Sequence, residues 1–97
     1  MIEIPLDKIA AFCHRWKIKE LALFGSVLRD DFRPDSDIDI LVTFNSGGRI
    51  TFNNRPEMLD ELSDIFGREI DLIDKKAIRN PFRRHVIFKS KEVIYAA

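Results

Sequence analysis

The segment that most constrains the possible folds of this chain is residues 24–42, FGSVLRDDFRPDSDIDILV. A Gly-Ser pair, Gly25 and Ser26, follows one apolar run, and Asp37 and Asp39 open the next. Successive side chains of a β-strand point to opposite faces, so these two carboxylates would face the same side, about 6.6 Å apart along the strand. The isoleucines beside them would then point into the core. The segment therefore predicts a strand that carries two carboxylates at its start.

A third aspartate, Asp71, lies between Ile70 and Leu72 in a later apolar run. A carboxylate is costly to bury there without a partner or a metal, and the simpler alternative is a strand-edge aspartate that faces water. Mg²⁺ prefers oxygen ligands and usually takes one or two carboxylates plus substrate phosphates. Two metals about 4 Å apart can stabilise the attacking and the leaving oxygens of a displacement at phosphorus. We therefore predict two Mg²⁺ ions on Asp37, Asp39 and Asp71.

Hydrophobic periodicity indicates helices and strands that alternate along the chain. It predicts helices over residues 5–16, 26–31, 58–66 and 81–89, and strands over residues 21–24, 37–44, 70–73 and 92–95. Gly25 and Ser26 would then form a strand-to-helix turn, where free N–H groups can bind a phosphate chain. The alternation predicts an α/β or α+β fold of two layers, with a small mixed sheet packed against helices.

Length and composition indicate one soluble globular domain over residues 1–97. Hydrophobic residues make up 45% of the chain and charged residues 33%. No segment has the length of a membrane span and the first residues do not form a signal peptide, so we expect no membrane partner. The lone Cys13 cannot form an internal disulfide, which favours a reducing cytoplasm, and its apolar helix face favours the core over a nucleophilic role.

Charge is balanced overall but unevenly distributed. The formal net charge is zero, so we expect no direct binding of nucleic acid. Residues 57–74 are rich in acids, whereas residues 75–91 contain seven cations and no acid. These cations are Lys75, Lys76, Arg79, Arg83, Arg84, Lys89 and Lys91. Either both stretches are solvated faces, or the basic one contacts an acidic partner or the phosphates of a substrate.

The motif resembles the nucleotidyltransferase domain of the polymerase-beta-like superfamily in its minimal form. Members carry Gly-Ser, then Asp-x-Asp, then a third aspartate on a later strand. The resemblance covers nearly the whole chain, and in the intervening loop it includes Arg29, Arg33, Pro34, Asp35 and Ser36. The chain departs from the pattern at Asp30, where glycine is usual, and at Val27, where a basic residue is common.

The resemblance implies a minimal nucleotidyltransferase antitoxin, which transfers AMP from ATP to a tyrosine of a HEPN-domain ribonuclease toxin encoded beside it. In that reading the Asp37–Asp39 pair binds both metals, and Asp71 completes the metal site and helps to deprotonate the attacking hydroxyl. Gly25 and Ser26 would hold the terminal phosphates. Arg29 would neutralise developing charge, or else form an ordinary salt bridge with a neighbouring aspartate.

Two other functions fit the same residues. A non-catalytic antitoxin would neutralise the toxin by contact alone, with the aspartates as relics or structural metal ligands. A nucleotidyltransferase acting on a small molecule, such as an aminoglycoside, or on an RNA end would need a substrate domain for which this chain has no spare residues.

Overall fold

The structure is a computed structural model that describes residues 4–25 and 37–97. Within the described residues, its helices and strands occur in the order that the sequence predicts. They are α1 (Leu6–Arg15), β1 (Ile18–Phe24), β2 (Ile38–Phe44), α2 (Arg55–Phe66), β3 (Ile70–Asp74), α3 (Pro81–Ser90) and β4 (Glu92–Ala96), with a short 3₁₀ turn (Lys75–Ala77) between β3 and α3. The helix predicted over residues 26–31 lies outside the described residues.

The four strands form one mixed sheet in the order β3-β2-β1-β4. β1 is antiparallel to both β2 and β4, whereas β2 and β3 are parallel. β1 begins at Ile18, earlier than the predicted residue 21, because Ile18 is buried and pairs with Phe44 across the sheet. The polar pair Lys19-Glu20 hides this start in the sequence, since it interrupts the apolar run.

Helices cover both faces of the sheet. The larger cluster joins α1 and α2 to one face, on which Leu23, Ile40 and Leu72 represent the three strands β1, β2 and β3. A smaller cluster lies on the opposite face, where α3 contributes Ile87 over the strand residues. The predicted mixed sheet packed with helices is confirmed, and α3 adds cover on the second face.

The helix ends follow signals that are visible in the sequence. Gly67 ends α2 in the left-handed conformation, at φ 70°, and its N–H donates to the Ser63 carbonyl oxygen. Asn80 caps α3, because its side chain accepts hydrogen bonds from the two N–H groups that follow Pro81. Among the described residues, no helix combines the length and apolar character that crossing a bilayer requires.

Candidate active site

Two of the predicted site aspartates lie side by side on neighbouring strands. In the parallel pairing of β2 with β3, Asp39 is the register partner of Asp71. Two residues further along each strand, Leu41 pairs with Ile73, and both belong to the cluster beneath α3. Residues two apart on a strand share a face, so both carboxylates lie on the α3 face of the sheet. Neighbouring strands run about 4.8 Å apart, which places the two aspartates as adjacent residues of one row.

Asp37 lies immediately before β2 and is exposed. The N–H of Ile38 donates to the Glu69 carbonyl oxygen at 3.0 Å, so the hydrogen bonding between β2 and β3 extends to the residue just before β3. Ile38 itself is fully buried on the opposite face, as the alternation between Asp37 and Asp39 predicts. Asp37 thus precedes the Asp39–Asp71 row at the same end of the sheet.

The burial of Asp71 differs from what its apolar neighbours suggest. β3 is one of the two edge strands of the sheet. The Asp71 side chain is exposed, whereas the Asp39 side chain is half-buried. A burial cost therefore gives no argument for a metal at Asp71. Its exposure fits the simpler alternative of a strand-edge aspartate that faces water. Its pairing with Asp39 is a separate observation, since an aspartate that only faces water need not lie beside another carboxylate. The case for Asp71 rests on that register.

Gly25 lies against the Asp39 carboxylate. Phe24, the last residue of β1, is the register partner of Asp39, and the chain then turns at Gly25 with φ 74°. A Cβ atom at this position would collide with the Asp39 carboxylate, and its distance from the Asp39 Cγ atom would be only 3.1 Å. The turn therefore needs glycine both for its backbone angle and for the space beside Asp39. Ser26 and Arg29, the other predicted nucleotide contacts, lie outside the described residues.

The donor set suits a hard cation that also binds phosphate. Asp39 and Asp71 are two adjacent carboxylates, and like charges on neighbouring strands repel each other unless a cation lies between them. Within residues 4–25 and 37–97, no group of three or more His, Cys, Asp or Glu side chains is gathered tightly enough to hold a metal ion. A bound Mg²⁺ would therefore use one or two of these carboxylates and complete its ligand shell with phosphate oxygens, its usual arrangement in proteins.

Cys13 has no part in this site. It is fully buried in the cluster under α1, on the sheet face opposite the aspartates, as its position in the sequence predicts. Burial raises the pKa of its thiol to about 12. A thiol with such a pKa stays protonated near neutrality and is a poor nucleophile.

Two surface cavities lie at the other end of the sheet, around the Gly47-Gly48 loop. Their volumes are about 240 Å³ and 450 Å³. The larger is bordered by Phe44 and Asp74, the residues at which β2 and β3 end, whereas the site aspartates lie where these strands begin. Neither cavity therefore belongs to the Asp39–Asp71 row.

The sequence interpretation of α3 considered its cations and overlooked its apolar residues. Phe82 and Val86 are exposed, although they lie on the helix whose Ile87 and Phe88 pack on the sheet. The sequence does contain a signal for this exposed apolar surface, because apolar residues lie on two sides of one short helix. Phe82 and Val86 are one helical turn apart, and Ile87 lies on the other side.

Comparison with known proteins agrees with this arrangement. A family model described as a nucleotidyltransferase domain matches residues 7–94. The chain is 38% identical over 81 residues to MJ1379 of Methanocaldococcus jannaschii, a candidate protein adenylyltransferase, with 84% of this chain and 79% of the relative covered. It is 32% identical over 82 residues to the protein adenylyltransferase MntA of Thermococcus cleftensis, with 84% and 77% covered.

Two solved structures have the same fold. A chain of a toxin–antitoxin complex with AMP-PNP superimposes with a TM-score of 0.75 at 20% identity, over 97% of this chain and 75% of that one. A chain of the complex between the tri-AMPylated Shewanella oneidensis HEPN toxin and the MNT antitoxin gives a TM-score of 0.65 at 20% identity, over 95% of this chain and 70% of that one. The family model and the two relatives cover most of the sequence, so this chain belongs to the nucleotidyltransferase domain family and is a nucleotidyltransferase of the minimal, MntA-like form.

Proposed function

We propose that this chain transfers AMP from Mg·ATP to the hydroxyl group of a tyrosine on a HEPN-domain ribonuclease toxin, and so acts as the antitoxin of that toxin. Relatives named as protein adenylyltransferases support the transfer of AMP to protein. Solved toxin–antitoxin complexes of the same fold, one with AMP-PNP and one with a modified HEPN toxin, support the nucleotide and the partner.

The reaction is an in-line displacement at the α-phosphorus of ATP. The hydroxyl oxygen of the acceptor forms a bond to this phosphorus, and the bond from phosphorus to the oxygen that bridges to the β-phosphate breaks. Pyrophosphate leaves, and the acceptor keeps AMP as a phosphodiester. The hydroxyl proton passes to a base at the site, a role that we assign to Asp71, whose exposed carboxylate lies on the edge strand.

The residues of the proposed site divide the work. Asp37, Asp39 and Asp71 would share two Mg²⁺ ions, each held by one or two of these carboxylates, and the ions when bound supply positive charge to the phosphate oxygens and to the attacking oxygen. Gly25, which has no Cβ atom, leaves the room that the Asp39 carboxylate occupies beside the turn. Ser26 with the backbone N–H groups after it would hold the terminal phosphates, and Arg29 would neutralise charge on the leaving pyrophosphate.

The observation that carries the proposal is the juxtaposition of three separated sequence positions. Asp39 and Asp71 are register partners, and Gly25 turns over the Asp39 carboxylate without a side chain. A structural role alone would not require two adjacent carboxylates beside a turn at which a side chain would collide with one of them. A cation that also binds phosphate gives all three features a common reason.

The direct test mixes the purified chain with the HEPN-domain protein encoded beside it, Mg²⁺ and ATP labelled at the α-phosphate. Label should enter the HEPN protein and its ribonuclease activity should fall in parallel. ATP labelled at the γ-phosphate should transfer nothing, because pyrophosphate leaves. The variant Asp37→Asn/Asp39→Asn should lose transfer by at least a hundredfold, whereas Asp64→Asn, an exposed carboxylate on α2, should keep it.

Other results would identify another function. Neutralisation of the ribonuclease without any label would establish an antitoxin that acts by binding. Label that enters RNA or a small molecule instead of protein would move the chain to a different acceptor class. Full transfer by the Asp37→Asn/Asp39→Asn variant would remove this pair from the active site.

A further inference from the structure

The structure divides the seven cations of residues 75–91 into two groups. Three of them are half-buried around the ring of Phe88: the charged groups of Lys75, Arg84 and Lys91 lie 4.6–5.3 Å from its centroid. Lys91 also pairs with the Glu20 carboxylate on β1 at 2.6 Å, which joins the end of α3 to the sheet. These contacts within the protein leave the three cations less available to a partner.

The other four cations are exposed. They are Lys76, Arg79, Arg83 and Lys89. Within the residues that the structure describes, none of their side chains forms an ion pair or a hydrogen bond with another residue. Residues 75–91 themselves contribute no acid to this surface.

Between these cations, α3 carries an apolar stripe that the protein leaves in solvent. Phe82 is 82% exposed and Val86 is 63% exposed. Phe82, Val86 and Lys89 follow the i, i+4, i+7 spacing of a single helix face, opposite the face that buries Ile87. A groove that covers this phenylalanine removes a large apolar area from water, which favours binding. An exposed aromatic residue with arginine beside it is the composition of an interface anchor.

The helix that carries this stripe lies on the same side of the sheet as the proposed active site. α3 covers the sheet face that carries Asp39 and Asp71, and its Ile87 shares a cluster with Phe24, the register partner of Asp39. A macromolecule that approaches this face of the sheet therefore meets α3. A helix is about 10 Å thick, so a partner resting on α3 must extend its acceptor side chain from a protruding segment down to the sheet.

We propose that the outward face of α3, with Phe82 and Val86 at its centre and Arg83 and Lys89 on its rim, is the docking surface for the protein that accepts AMP. The partner presents an apolar groove bordered by carboxylates, which complement the unpaired cations. This inference rests on the proposed function, because it assumes that the acceptor is a protein. It adds the surface that selects that protein, which lies outside the chemical site.

The test measures binding without chemistry. The Asp37→Asn/Asp39→Asn chain, which cannot transfer AMP, is the parent for association kinetics with the neighbouring HEPN-domain protein at low and high salt. Phe82→Ser should raise Kd at least tenfold, mainly through faster dissociation. Arg83→Glu should slow association severalfold at low salt and much less at high salt. Binding of a non-hydrolysable Mg·ATP analogue by the same variants in the wild-type background should not change.

Matched controls lie on the other face of the sheet. Leu6 is 60% exposed on α1, and Lys8, two residues further on, is also exposed, so Leu6→Ser and Lys8→Glu repeat both changes away from the site. Both controls should bind like the parent, and melting curves of all four variants should show that each is folded.

The results separate the surface from the function. Parent-like binding by Phe82→Ser overturns the docking surface, while label transfer in the wild-type background still decides the proposed function. Failure of the parent chain to bind the HEPN-domain protein at all overturns both proposals. Self-association of the chain alone that disappears in Phe82→Ser would instead assign the stripe to a second copy of this chain.

Discussion

At Gly25, the lack of a Cβ atom matters both for the backbone geometry and for the proposed active site. Its φ of 74° is one that residues with a side chain rarely adopt, and the space where its Cβ would lie belongs to the Asp39 carboxylate. The first property concerns stability and the second concerns the active site. A second glycine in the chain allows the two to be separated.

Gly25→Ala should lose activity as well as stability, whereas Gly67→Ala should lose stability alone. Gly67 has nearly the same backbone angle, φ 70°, but nothing lies within 4 Å of the position of its Cβ. Both variants carry a left-handed alanine, which costs roughly 1–2 kcal/mol of folding free energy. Only the Gly25 variant also displaces Asp39. Urea unfolding and label transfer, measured on both proteins, check this difference, and equal activity would show that the Asp39 contact is dispensable.

Asp71 should contribute more to the chemical step than to nucleotide binding. Asp71→Ala should lose most transfer activity but weaken Mg·ATP affinity less than Asp37→Ala/Asp39→Ala does. The reason is that we assign the binding of the triphosphate to Asp37, Asp39 and the Gly25 turn. Calorimetric titration with a non-hydrolysable analogue measures this directly. Equal loss of affinity in the two proteins would contradict the division of roles.

Two structural elements set the geometry that the individual residues use. The parallel pairing of β2 with β3 brings Asp71 beside Asp39, although α2 separates them in sequence. α3 covers the sheet above them with a small apolar contact, and polar bonds supplement it. Arg84 is the central residue of these bonds: its guanidinium donates to the Lys75 and Ile78 carbonyl oxygens, at 3.3 and 3.4 Å, and lies over Phe88.

Arg84→Gln should therefore destabilise the protein, whereas Arg83→Gln should not. The two arginines are neighbours in sequence, but Arg83 is exposed and Arg84 is half-buried beneath the helix. Hydrogen bonds from a charged group and the stacking on Phe88 together suggest a loss of about 1–3 kcal/mol for Arg84→Gln. Thermal and urea unfolding measure it, with Arg83→Gln as the control. A stable Arg84→Gln variant would mean that Ile87 and the 3₁₀ turn suffice to hold α3.

The molecule as a whole places its charged chemistry at one end of a small sheet. β1 ends there, and β2 and β3 begin there, while the large apolar cluster lies on the other face under α1 and α2. The carboxylates repel each other in the absence of a cation, since they are adjacent on neighbouring strands. Binding of Mg²⁺ and nucleotide at this end should therefore stabilise the entire fold.

Mg²⁺ with a non-hydrolysable ATP analogue should raise the melting temperature of the wild-type chain by roughly 10–20 °C. At one hundred times its Kd, a ligand adds about 2.7 kcal/mol to the free energy of unfolding, which in a domain of this size corresponds to such a shift. The Asp37→Asn/Asp39→Asn variant should show little shift. Without metal it should melt at or above the wild-type temperature, because it has lost carboxylate repulsion worth roughly 0.2–1 kcal/mol. Scanning calorimetry with and without Mg²⁺ checks both.

Local signals in the sequence were sufficient to predict most of the individual elements, and they supplied the candidate site aspartates. Gly67 and the Asn80-Pro81 pair mark helix ends, and the alternation around Asp39 predicts which side chains are buried. These signals act over one helical turn or between adjacent strand residues, so a single chain displays them directly. They fail where polar residues interrupt an apolar strand, as at the start of β1.

Long-range packing decided the rest. The register that joins Asp39 to Asp71 depends on which strands pair, and neither segment alone specifies its partner. The same holds for Arg83 and Arg84, which are alike in sequence: the contact of α3 with the sheet turns one toward Phe88 and leaves the other in solvent. The sequence by itself supplied the candidate residues of the proposed site, whereas the tertiary structure decided their neighbours, because contacts between distant segments exist only after the sheet and α3 have packed.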